Sequence, residues 1–311
     1  ARTLRTHPNI VHRSIPVNTE ADSLNAALLG PDIQPGDPEW DLMVKEIAQE
    51  MTVKAGQKCT AIRRILVPHD RIDVMAEAIA EKLSRCQIGD TRLEAVNMGA
   101  LASAAQGRDV QATVKQLLTA TELLVDPEKA ARPLGENLHS ECMVAPSLLY
   151  CARPDHAEVV HSIEAFGPVS TIMPYRDFEH GLTLATRAKG SLVASLFTHD
   201  TAIAQDAVLK LAAWHGRLAV IDRDAASEST GHGSPLPALK HGGPGRAGGG
   251  EELGGIRAVK HYLQRAAVQG SPRMLSAITT EYQRGAPVIE SELHPFKRHF
   301  EDLAIGHSLL T

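Results

Sequence analysis

The sequence predicts an α/β fold with a doubly wound, mostly parallel sheet, followed by a glycine-rich arm. Helical and strand patterns alternate from about residue 37 to 221 of the 311-residue chain, which is typical of this fold class. After residue 223 the sequence becomes rich in Gly, Pro and Ser. That stretch cannot form a regular core element, so we expect a long ordered loop or arm there.

The first predicted helix leads directly toward a cysteine. Asp37 and Pro38 are typical of an N-cap and a first turn, and apolar residues then fall on one helical face: Trp40, Met43, Val44, Ile47, Ala48 and Met51. Residues 61–68, AIRRILVP, are β-branched and short enough for a strand. A second helix follows, with Ile72, Met75, Ala76, Ile79 and Leu83 on one stripe. Cys59 is therefore expected at a helix-to-strand junction.

The alternation continues beyond this junction. We expect helices around 108–119, 177–188 and 201–214, and strands near 122–126, 147–151, 168–175, 192–198 and 217–221. A short helical pattern, IRAVKHYLQRAAV, follows the glycine-rich stretch. Residues 271–291 are predicted to be a linker, and 292–311 begin a new pattern.

The composition narrows the class of protein. It is typical of a soluble globular protein, with 43% hydrophobic and 22% charged residues and a net charge of −5 without long single-sign runs. We therefore expect neither a nucleic-acid nor a membrane partner. No apolar stretch approaches the roughly 20 residues of a transmembrane helix, and the first residues lack the apolar core of a signal peptide. A cytoplasmic location is predicted.

Cysteines and histidines give no sign of a disulfide framework or a metal site. The cysteines Cys59, Cys86, Cys142 and Cys151 form no CxxC pair and are expected to be free thiols. The fifteen histidines include no HExxH motif, and the nearest pairing, His294 with His299, has no accompanying ligands. No metal is expected.

Three motifs carry candidate chemistry. AGQKCTA at 55–61 holds Cys59, EAFGPV at 164–169 places Glu164 and Phe166 ahead of a strand, and NTEADSLN at 18–25 forms a polar cluster. Taken singly, each has an ordinary structural explanation. These are a buried small thiol, a loop acid beside a core phenylalanine, and a turn with a helix cap.

Together and in this order, the motifs resemble the aldehyde dehydrogenase superfamily. A glutamate comes first, then the GQ-x-C cysteine, then E-x-F-G-P-V, and 39 positions separate Glu20 from Cys59 as they do in that family. The resemblance covers about residues 1–270. It implies that Cys59 is the nucleophile, Glu20 activates the deacylating water, Glu164 holds the nicotinamide ribose and Phe166 packs beside that ring. Ala-Asp-Ser follows Glu20 where the family has Gly-Gly-Lys.

A narrower resemblance is to the bifunctional phenylacetate ring-cleavage proteins. It rests on the runs EADSLN, GQKCTAIRRILVP, ESTGHGSPLPALKHGGPGRAGGGEELGG and HPFKRHFEDLAIGHSLLT. In that family an aldehyde dehydrogenase domain is joined to an enoyl-CoA-hydratase-like domain that hydrolyses oxepin-CoA. The resemblance implies a homo-oligomer, NADP as cofactor with NAD as the alternative, and a CoA-linked semialdehyde, 3-oxo-5,6-dehydrosuberyl-CoA semialdehyde, as substrate.

The same resemblance implies a division of the chain. Residues 1–20 would end a cofactor-binding domain, 21–240 form the catalytic domain, 241–270 a glycine-rich loop for oligomerisation or packing, 271–291 a linker, and 292–311 the start of the hydratase-like domain. On this interpretation the chain is truncated at both ends. The asparagine of the oxyanion hole and the residues that read the ribose 2′ position would lie outside it, and the fragment alone is expected to be inactive.

Two other functions stay open on the sequence. One is a cofactor-independent cysteine acyl-transferase or thioesterase that uses Cys59 with a histidine such as His69, and the other is a non-catalytic assembly fragment. The GxGxxG pattern at 243–248 lacks the preceding strand and following helix of a dinucleotide fingerprint. We expect it to be a packing loop or a subunit contact.

Overall fold

The computed structural model describes residues 2–130, 132–225, 228–236, 239, 241–250 and 256–287. The chain divides into two compact units, Ala1–Tyr262 and Leu263–Thr311. The predicted hydratase-like start at 292–311 lies outside the described residues, as do positions 251–255 of the glycine-rich segment. Among the residues that are described, no helix has both the length and the apolar character needed to cross a membrane.

The first unit contains a seven-stranded sheet, with helices packed on both of its faces. The strands are β1 Asn25–Leu29, β2 Ile62–Pro68, β3 Glu122–Val125, β4 Ser147–Tyr150, β5 Val169–Tyr175, β6 Ser191–Phe197 and β7 His215–Ile221. The helices are α1 Arg2–Arg5, α2 Pro8–Arg13, α3 Pro38–Thr52, α4 Ile72–Ser84, α5 Ala104–Leu117, α6 Glu158–Ser162, α7 Phe178–Thr186, α8 Thr201–Leu211 and α9 Ile256–His261. Most predicted elements are confirmed to within a few residues.

The strand order is β3-β4-β5-β2-β1-β6-β7. Every neighbouring pair is parallel except the edge pair β3 and β4, which is antiparallel. The first strand lies inside the sheet, between β2 and β6, and the later strands extend the sheet first on the β2 side and then on the β6 side. This confirms the predicted doubly wound, mostly parallel sheet.

Alternate residues of β1 enter two separate cores. Ala27 and Leu29 pack with buried side chains of α3 and α4, whereas Ala26 and Leu28 pack with those of α7 and α8. All four are at most 2% exposed. Burial of a large aliphatic side chain stabilises the fold by about 1.5–3 kcal/mol, so β1 is held from both faces.

Three local features differ from the sequence predictions. Asp37 lies at the N-cap of α3, but its carboxylate accepts a hydrogen bond from the Gln34 amide at 2.7 Å and caps no helical amide. Strand β1 was not predicted, because a five-residue strand buried on both faces shows no polar alternation. In the second unit, the predicted linker contains a helix, α10 Pro272–Thr279, capped by the Ser271 side chain.

Candidate active site

The three sequence motifs meet at the amino ends of parallel strands. Asn25 begins β1, Cys59 shortly precedes β2, and Phe166 shortly precedes β5. Because β1, β2 and β5 are parallel and adjacent, these positions lie together along the edge of the sheet at which the parallel strands begin. Ligands of open α/β sheets usually bind at the carboxyl ends, so this site lies at the opposite edge.

A sharp backbone reversal presents Cys59. Helix α3 ends at Thr52, and Lys54, Ala55 and Gly56 then adopt positive φ angles of 54°, 52° and 68°. A left-handed conformation costs roughly 1–2 kcal/mol at a non-glycine residue, and here Ala55 is held in place by burial at 1% exposure. Cys59 follows half-buried. The helix-to-strand junction predicted for Cys59 is confirmed.

The Cys59 turn packs directly on the second motif. A Cβ added to Gly56 would lie 2.2 Å from the carbonyl oxygen of Gly167, a distance that no side chain tolerates. Glycine at position 56 therefore serves both the positive φ and the contact with the EAFGPV turn.

Arg63 joins the same two motifs from inside β2. Its guanidinium donates to the carbonyl of Gly56 at 2.8 Å, to the carbonyl of Gly167 at 2.6 Å and to Glu164 Oε1 at 3.1 Å. It also lies 5.6 Å from the centre of the Phe166 ring. Sequence reasoning missed this residue, although charges within a predicted strand were a signal, since a charge that becomes buried requires partners.

Glu164 is fixed through both carboxylate oxygens. Oε1 accepts from Arg63, and Oε2 accepts from the backbone amide of Ser23 at 3.0 Å. Its side chain is 7% exposed. Burial raises the pKa of Glu164, while the Arg63 charge and the Ser23 amide oppose that shift. Burial also lowers the pKa of Arg63, yet this set of donors and acceptors is that of an ion pair, which is the state we assign.

Asn25 connects the third motif to Cys59. Its side-chain Nδ2 donates to the backbone carbonyls of Cys59 and Ala61, both at 2.9 Å. Its Oδ1 accepts from the Ser23 hydroxyl at 2.7 Å and from the Val193 amide at 3.1 Å. The residue is fully buried, so the backbone of Cys59 is held by a side chain that sequence analysis placed only in a polar cluster.

Glu20 lies in the irregular segment that precedes β1. It is half-buried, and a Cβ on Gly248 would approach its backbone nitrogen to 3.0 Å. Asp22, the neighbouring carboxylate, forms a two-point ion pair with Arg246 through contacts of 2.6 and 2.5 Å. This ion pair ties the segment before β1 to the glycine-rich segment.

The described part of the glycine-rich segment, 241–250, packs closely on the same edge. A Cβ on Gly216 would lie 1.5 Å from the carbonyl oxygen of Gly242, and one on Gly190 would lie 2.1 Å from that of Pro244. The turn Gly245–Ala247 is one short 3-10 turn, and Gly243 and Gly248 form an isolated bridge. The segment therefore lacks strand-turn-helix geometry, in agreement with the prediction of a packing loop.

This segment also brings a histidine to the cysteine. Nε2 of His241 lies 4.0 Å from Sγ of Cys59, and His241 is buried at 8% exposure. His69, the histidine weighed from the sequence, is exposed and follows the far end of β2. A seven-residue strand spans about 20 Å, so His69 is not a partner for Cys59.

The described residues include all four cysteines and one cluster of possible metal ligands. All four cysteines are free, as predicted. In the part of the chain that the structure describes, one group of three side chains, His199, Asp222 and Asp224, has the spacing of metal ligands. His199 and Asp222 follow the carboxyl ends of β6 and β7, at the edge opposite Cys59.

Comparisons with known proteins identify the family of this chain. Residues 30–268 match the aldehyde dehydrogenase family. The chain is 51% identical over 215 residues to Protein MaoC of Klebsiella aerogenes, covering 69% of this chain and 62% of that protein. It is 45% identical over 244 residues to the 3,4-dehydroadipyl-CoA semialdehyde dehydrogenase of Aromatoleum evansii, covering 78% of this chain and 47% of that protein.

Solved structures share the fold. The crystal structure of betaine aldehyde dehydrogenase from Staphylococcus aureus in complex with NAD+ superposes with a TM-score of 0.68 at 19% identity, over 85% of this chain and 50% of that one. The chain thus spans about half to three fifths of the length of the proteins that it matches.

Proposed function

The chain belongs to the aldehyde dehydrogenase family, and we propose that it is the catalytic part of an enzyme that oxidises an aldehyde to a carboxylate through a thioester on Cys59. One observation supports this most strongly. Arg63 and Asn25 tie the Cys59 turn to both other motifs, through Gly56 and Gly167 on one side and the Cys59 carbonyl on the other. A buried network of this kind fixes a nucleophile on rigid elements.

The first half of the reaction requires an ionised thiol. The thiolate of Cys59 attacks the aldehyde carbon, a carbon–sulfur bond forms and the carbonyl oxygen becomes an oxyanion. Backbone and side-chain amides stabilise such a charge when they are already in position. The turn at 56–59 is rigid because Gly56 contacts Gly167 and Asn25 holds the Cys59 carbonyl.

The second half requires a base for water. After oxidation the acyl group remains on Cys59 as a thioester, and hydrolysis releases the carboxylate and the thiol. We assign the general base to Glu20. The resemblance supports this choice, because Glu20 occupies the position of the glutamate that activates the deacylating water in that family.

The residues of this chain fit the nicotinamide end of a dinucleotide. Glu164 keeps unused lone pairs beside its two observed donors, so it can accept a ribose hydroxyl, and Phe166 is 37% exposed next to it. A nicotinamide cofactor, when bound, supplies the hydride acceptor. We propose NADP, with NAD as the alternative, on the resemblance to the ring-cleavage proteins.

For the substrate we propose a CoA-linked semialdehyde from aromatic degradation. The 45% identity to an enzyme named for a CoA semialdehyde supports this class, as does the resemblance noted from the sequence. On that resemblance the complete protein is also an oxepin-CoA hydrolase and a homo-oligomer.

The test is NADP reduction by the complete protein with a CoA thioester that carries a terminal aldehyde, compared with its CoA-free analogue. We expect steady reduced-cofactor formation that favours the CoA-linked aldehyde and is lost in Cys59→Ala. Absence of cofactor reduction with every aldehyde, or an undiminished rate in Cys59→Ala, would contradict the proposal.

A second candidate function is that of a cofactor-independent thioesterase or acyl-transferase. The contact between His241 and Cys59 favours it, because such enzymes pair a thiol with an imidazole. The same assay separates the two functions. Release of free CoA from a thioester without any nicotinamide cofactor would identify the thioesterase or acyl-transferase.

A further inference from the structure

The imidazole that contacts Cys59 has no role in the aldehyde dehydrogenase mechanism described above. His241 Nε2 lies 4.0 Å from Cys59 Sγ, at the outer limit of a hydrogen bond to sulfur. Catalytic pairs are commonly loose in a structure without substrate and tighten when it binds. His241 is held beside the thiol by the packing of Gly242 on Gly216 in β7.

The surroundings of the pair favour a negative charge on sulfur. The charge of a Cys59 thiolate raises the pKa of Arg63, so the buried guanidinium stabilises the thiolate in return. Lys58 lies next in the chain, with its Nζ 2.7 Å from Glu50 Oε1. Among the acids on the elements around the turn, Glu50, Glu164 and Asp22 are each paired with a cation. Glu46 accepts a hydrogen bond from the His232 amide at 3.1 Å. Cys59 is therefore half-buried within electrostatic reach of a buried guanidinium, a setting that favours ionisation of a thiol.

We infer that His241 accepts the proton of the Cys59 thiol. The S–H bond breaks, the proton moves to Nε2, and the electron pair left on sulfur attacks the aldehyde. The inference rests on the proposed function only for the identity of the electrophile. The reaction then uses two bases. His241 takes the thiol proton before the thioester forms, and Glu20 activates the water that hydrolyses the thioester.

The inference can be tested without any aldehyde. Iodoacetamide alkylation of the complete protein is followed as a function of pH, and the peptide that contains Cys59 is quantified by mass spectrometry so that the other three cysteines do not interfere. In the wild type we expect alkylation to begin at least one pH unit below the ordinary thiol pKa of about 8.5. In His241→Gln and His241→Phe the profile should move up toward that value. The exposed residue His156 provides the control, and His156→Gln should leave the profile unchanged.

A second measurement guards against a variant that does not fold. Thiolate absorbance of the wild type minus that of Cys59→Ser reports the titration of Cys59 directly. A wild-type midpoint near 8.5, or folded His241 variants with an unshifted profile, would overturn the inference while Cys59-dependent NADP reduction could still stand. A shifted profile in a protein that oxidises no aldehyde would support the thiol–imidazole pair and refute the proposed function instead.

Discussion

The side-chain amide of Asn25 donates a hydrogen bond to the backbone carbonyl of Cys59 at 2.9 Å. The same nitrogen reaches the carbonyl of Ala61, so one buried residue at the head of β1 holds both ends of the turn between the nucleophile and β2. Asn25 is thus a positioning residue, which acts on the reaction through Cys59.

Replacing Asn25 by Ala should therefore lower both stability and activity. The change removes the side chain that bonds two backbone carbonyls, one backbone amide and the Ser23 hydroxyl, and we expect a loss of about 2–4 kcal/mol in the free energy of unfolding. Urea unfolding measures it. The exposed Asn9 is the control, and Asn9→Ala should change little. An Asn25→Ala protein as stable and active as the wild type would remove Asn25 from the site.

The buried pair of Arg63 and Glu164 predicts a specific pH dependence. In Arg63→Met the opposing charge is gone, so burial raises the pKa of Glu164 further above its value in the unfolded chain. Proton linkage gives the direction in which stability changes with pH. A raised carboxyl pKa gives stability that is present below the unfolded pKa and is lost as pH rises through the folded one. Breaking a buried pair costs about 3–5 kcal/mol, which we expect at neutral pH with a smaller loss in acid.

The matched double variant Arg63→Met/Glu164→Gln should recover much of that stability at neutral pH, because no unpaired charge remains. Arg85→Met, which removes an exposed pair with Glu81, should have no measurable effect. Urea midpoints between pH 5 and about 8 test this. A loss in Arg63→Met that is independent of pH would mean that packing, and not charge, explains the role of Arg63.

Two glycines with positive φ give a matched comparison. Gly36 and Gly56 have φ angles of 95° and 68°, but a Cβ on Gly36 meets nothing within 4 Å. Gly36→Ala should cost only backbone strain, about 1–2 kcal/mol. Gly56→Ala adds a clash with the Gly167 carbonyl, so we expect at least about 3 kcal/mol and loss of activity. Equal losses in thermal or urea unfolding would show that the turn relaxes around the new methyl group.

The glycine-rich segment should be ordered despite its composition. Hydrogen bonds join the Gly249 amide to the Gly243 carbonyl at 2.6 Å and the Ala247 amide to the Pro244 carbonyl at 3.1 Å. In the assembled complete protein we expect amides 243–250 to exchange at least about tenfold more slowly than the exposed irregular stretch 263–270. Complete exchange within seconds at 243–250 would contradict this. The sequence predicts the same slow exchange for 251–255, which lie outside the described residues.

How far the sequence predicts this molecule depends on the range of each signal. The helix that carries Trp40 and Met43 and the strand of Ile65 and Leu66 follow from local periodicity, and the motif order leads to Cys59. Strand β1 does not follow, since Asn25–Leu29 is short and buried on both faces. Neither does the order of strands in the sheet, which local patterns do not encode.

The contacts within the site could not be predicted from local sequence patterns either. Apart from Ser23, the partners of Arg63 and Asn25 lie 7 to 168 positions away in the chain, and no local pattern reports such distances. His241 lies 182 positions from Cys59, so the sequence offered His69 instead, which is near in the chain and at the wrong end of β2. Long-range packing, and not residue type, decides which histidine meets the thiol.

The central claim is that Cys59 carries the acyl group and that Glu20 activates the water that removes it. Single-turnover mixing of the complete Glu20→Gln protein with aldehyde and NADP, combined with mass analysis of the Cys59 peptide, tests it most directly. We expect one burst of reduced cofactor per site, an acyl group retained on Cys59, and steady-state turnover reduced about 10²-fold to 10⁴-fold, whereas Cys59→Ala should give no burst. Normal steady-state turnover in Glu20→Gln, or a burst without an acyl group on Cys59, would contradict the account.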